Sequence, residues 1–311
     1  MKVFVILMTY GSPKTLFDVP EYLTKVYGGR VPDKENVNEF KRRYELIGGS
    51  PLIQITQQQA FALEELLNLQ KTDTTYTVAA GMRYSHPFIE EVIKEKAEDA
   101  DAIIGIIMSP QYSPIIMSGY HRELDAAVAK LTRKPLLCRT ATDWHLQPFF
   151  LQAMAEKVEQ ALDTFPEAIR NHVPVLFSAH SMPKRVIDKE PDYITDLKET
   201  AAEIAKLAGI KKKQWMFCYQ SAGHTPEEWL KPDFEDIMPE LQKKGMKQVL
   251  IAPVQFLADH LEILYDVNIG ARAQAEKYGI AFARTESLNT SPLFIKALAE
   301  VVKATLTNTT D

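Results

Sequence analysis

Apolar residues in this chain fall into short continuous runs, separated by stretches with helical spacing. The runs are rich in β-branched residues and lack a helical period, so each predicts a buried parallel strand. Eight such strands are predicted, over residues 3–8, 75–80, 102–108, 136–140, 173–177, 214–219, 248–253 and 280–284. Most of them end in a turn rich in Gly, Ser or Pro.

Between the strands, apolar residues recur at positions i, i+3 and i+4, which predicts helices. The predicted helices cover residues 35–47, 51–69, 88–97, 117–132, 146–165, 194–208, 229–244, 259–278 and 291–306. The polar and aromatic segment 16–32 carries no predicted element. Strands that alternate with helices indicate a mostly parallel sheet covered on both faces.

The pattern restarts after about residue 166, and its two halves resemble each other. Each half opens with an apolar strand that runs into a small-residue turn, Tyr10-Gly11-Ser12-Pro13 in one and His180-Ser181-Met182-Pro183 in the other. We therefore predict an α/β protein with two similar Rossmann-like, doubly wound domains, each with a four-stranded parallel sheet, over 1–165 and 166–311. A cleft would lie between their carboxyl edges, with Tyr10 and His180 on opposite walls. Chance similarity between buried strands is the alternative explanation of the repeat.

Composition narrows the class of protein. The 311 residues are 46% hydrophobic and 25% charged, which is typical of a globular protein. The net charge of −5 does not suggest a nucleic-acid partner, and the two distant cysteines form no metal motif or disulfide framework. No run approaches the roughly 20 apolar residues of a transmembrane segment, so we expect a cytoplasmic protein.

His180 is the first candidate for chemistry. It follows the predicted strand 173–177 at its carboxyl end, where ligands and catalytic groups collect in open α/β sheets. A turn histidine that only hydrogen-bonds its neighbours is an equal alternative on the strand alone.

Three carboxylates form a second candidate. Asp259, Glu262 and Asp266 are spaced i, i+3 and i+7, so one helix would place them on one face. In an ordinary helix such a face is simply solvated. Because this segment follows a buried strand, the line could instead carry protons or a hard cation. With His180 it would make the nitrogen and oxygen site that a divalent transition metal accepts.

Several common functions lack their motifs here. The chain has no G-x-G-x-x-G, Walker A, H-E-x-x-H or G-x-S-x-G sequence. What it does have is a set of arginines accompanied by tyrosines near strand ends and helix starts. This combination suits a flat ligand that carries carboxylates. The residues are Arg30, Arg42, Arg43 and Arg83 with Tyr27, Tyr44, Tyr84, Tyr112 and Tyr120.

Along nearly its whole length the chain resembles the ferrochelatases, which insert Fe²⁺ into porphyrins. The motifs that carry the resemblance are Tyr10-Gly-Ser-Pro13, Arg43-Tyr44, Ile47-Gly-Gly-Ser-Pro-Leu52, Gly81-Met-Arg-Tyr-Ser-His-Pro87, Ser109-Pro-Gln-Tyr-Ser113, Ser178-Ala-His-Ser-Met-Pro183, Tyr219-Gln-Ser-Ala-Gly223, Trp229-Leu-Lys-Pro232 and Pro253-Val-Gln-Phe-Leu-Ala-Asp-His-Leu-Glu262. The resemblance implies two Rossmann-like domains around a porphyrin cleft. It also implies that no resident cofactor is required, because Fe²⁺ is itself a substrate.

Three residues take roles from this resemblance. His180 matches the family's cleft histidine and Glu262 its metal-side carboxylate, so both are expected to be catalytic and to contact metal. Tyr10 stands where many protoporphyrin enzymes carry Met, whereas the Gram-positive coproporphyrin III enzymes carry a Tyr that can ligate iron from the opposite face. Tyr10 therefore favours the coproporphyrin branch.

Coproporphyrin has four propionates, and the resemblance implies residues that bind them. These are Tyr27, Arg30, Arg43, Tyr44, Ser50 and Tyr120. The chain departs from the branch at three places. Tyr27-Gly28 replaces an Arg-Arg pair, Arg83-Tyr84 replaces a Lys-His pair, and Gly270 replaces a Glu. The second departure looks more like the protoporphyrin enzymes, and the third ends the carboxylate line early.

The leading hypothesis is therefore Fe²⁺ insertion into coproporphyrin III to give coprohaem. The alternatives are the same reaction on protoporphyrin IX, a cobalt chelatase that acts on sirohydrochlorin, and a porphyrin or haem carrier without turnover. An upstream oxidase and a downstream decarboxylase are candidate transient partners.

Overall fold

The computed structural model describes residues 1–69, 72–223 and 227–307. It contains two four-stranded sheets in which all strand pairs are parallel. Helices connect successive strands, as parallel pairing requires. The predicted α/β class with two similar doubly wound sheets is thus confirmed.

The first sheet has the strand order β2-β1-β3-β4. Its strands are β1 (Lys2–Thr9), β2 (Thr75–Met82), β3 (Ala102–Ile107) and β4 (Leu137–Ala141). Val5 of β1 pairs with Val78 on one side and with Ile104 on the other. β1 and β3 are buried along almost their whole length because they are central and covered on both faces, which explains their continuous apolar runs.

The second sheet repeats this arrangement with the order β6-β5-β7-β8. Its strands are β5 (Val175–His180), β6 (Trp215–Gln220), β7 (Gln248–Pro253) and β8 (Ala281–Arg284). Phe177 of β5 lies between Phe217 and Ala252. β5 therefore corresponds to β1. Tyr10 directly follows β1 and His180 ends β5, so the two occupy equivalent topological positions, as predicted.

Twelve α-helices and one π-helix are assigned within the described residues. They are α1 (Val19–Val26), α2 (Lys34–Leu46), α3 (Leu52–Asn68), α4 (Ile89–Lys96), α5 (Pro114–Ala129), α6 (Pro148–Asp163), α7 (Glu167–Arg170), α8 (Lys184–Ile187), α9 (Pro191–Leu207), α10 (Phe234–Lys243), the π-helix (Glu262–Ala271), α11 (Arg272–Lys277) and α12 (Pro292–Thr307). The short helices α1, α7 and α8 were not predicted. α7 and α8 have four residues each, which is too few to show the helical period, and α1 lies in the segment 16–32 to which no element was assigned.

Two predicted helices begin later than expected. The helix predicted from 229 begins at Phe234, because Asp233 caps it by accepting a hydrogen bond from the backbone N–H of Asp236 at 3.0 Å. The helix predicted over 259–278 begins only after His260, and its first part is π-helical.

The chain divides into two compact units. One comprises Met1–Trp144, Ala258–His260 and the stretch from Asn289; the other comprises His145–Leu257 and Leu261–Leu288. This division differs from the predicted boundary at 165/166, because it assigns α6 to the second unit and α12 to the first. α6 packs on α9 and β7 of the second unit, and α12 packs on α3, β3 and β4 of the first. Each helix thus lies with the elements that bury its apolar face.

Each unit has its own apolar core between its sheet and its helices. In the first unit, Ile6, Ile103 and Leu124 are among the fully buried members. In the second, Leu176, Ile251 and Val267 have the same role. Since central strands are immobilised on both faces, the residues at their carboxyl ends have well-defined positions.

Candidate functional site

His180 ends the central strand β5, beside β7, where the strand order reverses. Its backbone N–H donates a hydrogen bond to Oε1 of Gln255 at 3.0 Å. Its Nδ1 is hydrogen-bonded to the carbonyl of Ser181. Since a carbonyl oxygen only accepts, Nδ1 carries a hydrogen, and in the neutral form of the ring the lone pair is on Nε2.

Glu262 opens the π-helix and faces this lone pair. Its Oε2 lies 3.7 Å from Nε2 of His180, and each side chain is 32% exposed. Oε2 itself is buried and has no hydrogen-bond partner among the residues that the structure describes. Because π-helical turns recur at functional sites, the local geometry agrees with a functional role for this residue.

The gap between His180 and Glu262 suits a small cation. It exceeds the length of a hydrogen bond between their heavy atoms. A divalent transition metal at about 2.1 Å from each atom would span it. A proton on Nε2 of His180 would also satisfy the carboxylate electrostatically. A buried carboxylate oxygen without a partner is costly, so the site favours either form of positive charge.

Sequence reasoning did not single out the residues that support this pair. Gln255 holds the backbone of His180, and its Nε2 donates to the hydroxyl of Tyr193 at 2.6 Å. Burial raises the pKa of the Tyr193 phenol, so this group stays neutral. Gln255 could have been found because it lies inside the motif that ends at Glu262. No sequence motif pointed to Tyr193.

The three carboxylates predicted on one helix face are not together on a helix. Asp259 lies before the helix and belongs to the first unit, where its Oδ2 accepts a hydrogen bond from Asn289 at 3.0 Å. Asp266 is in the π-helix with Glu262 and accepts a hydrogen bond from the hydroxyl of Ser221 at 2.6 Å. The prediction of a single line was wrong because helical spacing was assumed where the chain is still a loop.

Tyr10 lies in the first unit against Tyr84. The ring centroids of the two residues are 4.5 Å apart and the planes are tilted by 59°. Tyr10 is 43% exposed. The loop after β2 is fixed to the loop after β1, because the backbone N–H groups of Arg83 and Tyr84 donate to the carbonyls of Thr9 and Tyr10 at 2.9 and 3.1 Å.

Arg83 connects this pair with Tyr120. Its guanidinium carbon lies 4.8 Å from the ring centroid of Tyr84 and 5.4 Å from that of Tyr120. Burial raises the pKa of the Tyr84 phenol, against the opposing effect of Arg83, and it raises the pKa of the buried Tyr120 phenol as well. Both phenols therefore stay protonated beside Tyr10 and can donate hydrogen bonds.

The predicted propionate-binding residues form two neighbourhoods along the chain. After α1, the guanidinium carbon of Arg30 lies 5.7 Å from the ring centroid of Tyr27, whose hydroxyl donates to Oδ1 of Asn36 at 3.3 Å. On α2, Tyr44 is buried, and Nε of Arg43 donates to Oε1 of Glu39 at 2.8 Å.

Ser50 occupies the connection between α2 and α3. Its hydroxyl oxygen accepts a hydrogen bond from the backbone N–H of Leu52 at 3.4 Å, which satisfies one free N–H at the start of α3. This contact gives Ser50 a structural role beside the predicted role in substrate binding.

A cavity of about 330 Å³ lies beside Tyr44 in the first unit. It is lined by Pro13, Lys14, Thr15, Leu16, Tyr44, Glu45, Gly48 and Gly49. Gly48 and Gly49 have φ values of +72° and +91°, which glycine adopts without strain. Lys14 adds an ammonium group that the sequence motifs did not suggest. With the hydroxyl of Tyr44 it could bind a carboxylate.

The sequence of this protein matches one family of enzymes. The ferrochelatase family model matches residues 2–306, which is almost the whole chain. The chain belongs to the ferrochelatase family. Its His180, Glu262 and Tyr10 therefore lie in the scaffold of a metal-chelating enzyme.

Curated ferrochelatases are similar to this chain over nearly their full length. The coproporphyrin III ferrochelatase of Geobacillus kaustophilus strain HTA426 is 38% identical over 301 residues, covering 96% of this chain and 94% of the relative. The ferrochelatase of Deinococcus radiodurans is 36% identical over the same length and coverage. The ferrochelatase of Herpetosiphon aurantiacus is 38% identical over 303 residues, covering 97% and 98%.

Solved chelatase structures share the fold. SirB of Bacillus subtilis, solved with Fe³⁺, matches with a TM-score of 0.57 and 12% identity, covering 99% of this chain and 97% of that one. CbiX, described as the terminal enzyme of sirohaem biosynthesis in denitrifying bacteria, matches with a TM-score of 0.55 and 15% identity, covering 98% and 99%. At these identities the likeness concerns fold alone.

Among the described residues of this ferrochelatase, no helix has the length and apolar character needed to cross a membrane. The predicted absence of a resident cofactor stays a prediction, and so do the roles of the individual site residues.

In this ferrochelatase, the contribution of Glu39 to stability should depend on pH, because Glu39 is hydrogen-bonded to Arg43. Hydrogen bonds from Arg42 and Arg43 lower the pKa of Glu39 to about 2. Because the folded pKa lies below the unfolded one, the stabilisation is complete above about pH 4.5 and is lost as the pH falls towards 2. Since the side chain is 38% exposed, we expect Glu39→Gln to lower the free energy of unfolding at pH 7 by only about 0.5 kcal/mol.

Urea unfolding at pH 7, 4.5 and 3.5 would measure this effect. The difference between wild type and Glu39→Gln should shrink as the pH falls below 4.5. Glu65→Gln, at an exposed position on α3, is the matched control and should show no such trend. A difference that grows on acidification would contradict the assignment of the Glu39 pKa.

Proposed function

We propose that this ferrochelatase inserts Fe²⁺ into coproporphyrin III, giving Fe-coproporphyrin III and two protons. The observation that carries the proposal is the pair of His180 and Glu262, with the Nε2 lone pair 3.7 Å from a buried carboxylate oxygen. A base and a carboxylate at this spacing supply what metallation needs, because a dication must enter while two pyrrole protons leave.

His180 is the proposed proton acceptor. The Ser181 carbonyl holds its Nδ1–H, so Nε2 is the atom that can take a pyrrole proton or bind the incoming iron. Glu262 stabilises either positive charge from its own side of the gap. The two ring nitrogens that carry hydrogen each exchange an N–H bond for a bond to iron, while the other two donate lone pairs. The two released protons pass through this pair to solvent.

Substrate preference is assigned from Tyr10. A phenol at this position is an oxygen ligand for iron, whereas a Met there would offer only a thioether. The relative from Geobacillus kaustophilus is named a coproporphyrin III ferrochelatase, which supports the same choice. Four propionates match the cations and hydroxyls of Arg30, Arg43, Tyr44 and Ser50 better than two would.

Protoporphyrin IX is the second candidate substrate. Arg83-Tyr84 favours it, since this dipeptide looks like the protoporphyrin enzymes. A cytoplasmic location and transient exchange with an upstream oxidase and a downstream decarboxylase are further parts of the proposal.

The test is anaerobic Fe²⁺ insertion followed by visible absorption, with coproporphyrin III and protoporphyrin IX assayed separately. We expect kcat/KM to be about tenfold or more higher with coproporphyrin III, because a site built to bind polar groups discriminates strongly against an analogue that lacks them. Faster metallation of protoporphyrin IX would overturn the substrate assignment. Binding of both porphyrins without insertion into either would instead indicate a carrier.

A further inference from the structure

Arg83 is held far more tightly than an ordinary surface arginine. Its side chain is only 17% exposed, and Nε donates to Oε1 of Glu123 at 2.9 Å. Glu123 lies on α5, one turn after Gly119 and Tyr120. The ion pair therefore joins the loop after β2 to the helix that follows β3.

Gly119 leaves room for this arrangement. A Cβ atom built on Gly119 would lie 1.9 Å from the guanidinium carbon of Arg83, a distance that no two such atoms can adopt. Gly119 is helical, so its backbone does not require glycine. Glycine is needed at position 119 because the guanidinium of Arg83 approaches the helix backbone closely there. The same approach places Arg83 over the ring of Tyr120.

The guanidinium of Arg83 is linked to Tyr10 by way of Tyr84, which contacts both residues. Arg83 lies over one ring of the Tyr10–Tyr84 pair, and a hydrogen bond joins the hydroxyls of the two tyrosines. The position of Tyr10 is therefore coupled, contact by contact, to the carboxylate of Glu123.

We propose that Glu123 is a positioning residue: by holding Arg83 on Gly119, it fixes the Tyr10–Tyr84 pair and places a permanent cation behind the Tyr10 hydroxyl when that oxygen binds iron. The inference rests on the proposed role of Tyr10 as an iron ligand. Negative charge grows on a phenol oxygen when it ligates a metal, and a fixed guanidinium close by favours that charge. Without Glu123 the guanidinium would lose its partner and its single orientation.

Iron(III) coproporphyrin III is the probe, titrated into the protein and followed by the visible band of the iron–phenolate bond. We expect Glu123→Gln to weaken binding by about tenfold and to shift this band, as changes behind metal ligands commonly do. Gly119→Ala should have the same effect by displacing Arg83, although alanine is the better helix former. Glu90→Gln is the matched control, since it removes a carboxylate paired with Lys130 on the surface of α4 and α5.

A double-mutant cycle with Tyr10→Phe separates positioning from general destabilisation. If Glu123 acts through the Tyr10 hydroxyl, Glu123→Gln will change the affinity less than about twofold in the Tyr10→Phe background. Additive losses would overturn the inference and leave the proposed function in place. An unchanged band and affinity for Tyr10→Phe alone would overturn the proposed role of Tyr10, and the inference with it.

Discussion

Replacement of His180 with alanine should reduce Fe²⁺ insertion by roughly a hundredfold to ten-thousandfold while porphyrin binding stays within about threefold of wild type. The Nε2 lone pair that faces Glu262 would be lost. Binding should persist, because other residues are predicted to bind the propionates. Anaerobic insertion assays together with fluorescence titration of metal-free coproporphyrin III would measure both quantities.

His172→Ala is the matched control, because His172 is an exposed histidine in the turn before β5. It should insert iron at the wild-type rate. Insertion by His180→Ala at that same rate would remove His180 from the mechanism. Loss of porphyrin binding in His180→Ala would show instead that the ring contributes mainly to binding.

Replacement of Glu262 with glutamine should reduce insertion by about a hundredfold and yet make the protein more stable. The buried Oε2 of Glu262 has no hydrogen-bond partner among the described residues, so its charge costs folding free energy. A neutral amide of the same size removes most of that cost. We expect the melting temperature to rise by roughly 1–3 °C.

Calorimetry at pH 8 and the insertion assay would test the two effects of Glu262→Gln together. Glu276→Gln, at an exposed position on α11, should change neither stability nor rate. A fall in melting temperature would mean that Glu262 is stabilised by a partner in the folded protein. An unchanged rate would show that its charge is not needed for insertion.

The elements of the fold that could be predicted are those whose residues must be apolar because they are buried. A strand such as β3, which is buried at every position, must be apolar throughout, and its continuous run identified it. The same reasoning placed His180 at a strand end. α7 has four residues, none of them buried, and is too short for a helical period to emerge.

The candidate site was only partly predictable. His180 was marked by its position at a strand end and Glu262 by its spacing from two other carboxylates, whereas Tyr10 and the metal-contact roles came from the resemblance to the ferrochelatases. The hydrogen bond between Gln255 and His180 joins residues 75 positions apart, and the ion pair of Arg83 with Glu123 joins residues 40 positions apart. No local pattern contains such pairs, so they could not have been inferred from spacing.

The strand–helix alternation, the two parallel sheets and the family could all be inferred from the sequence, because periodicity and local motifs are properties of short segments. That Asp259 pairs with Asn289 rather than joining Glu262 on a helix became clear only from the folded structure. It also decided that Nε2 of His180 faces a carboxylate oxygen that has no hydrogen-bond partner in the described chain. These outcomes depend on long-range packing and on the competition of side chains for hydrogen-bond partners, which residue spacing does not encode.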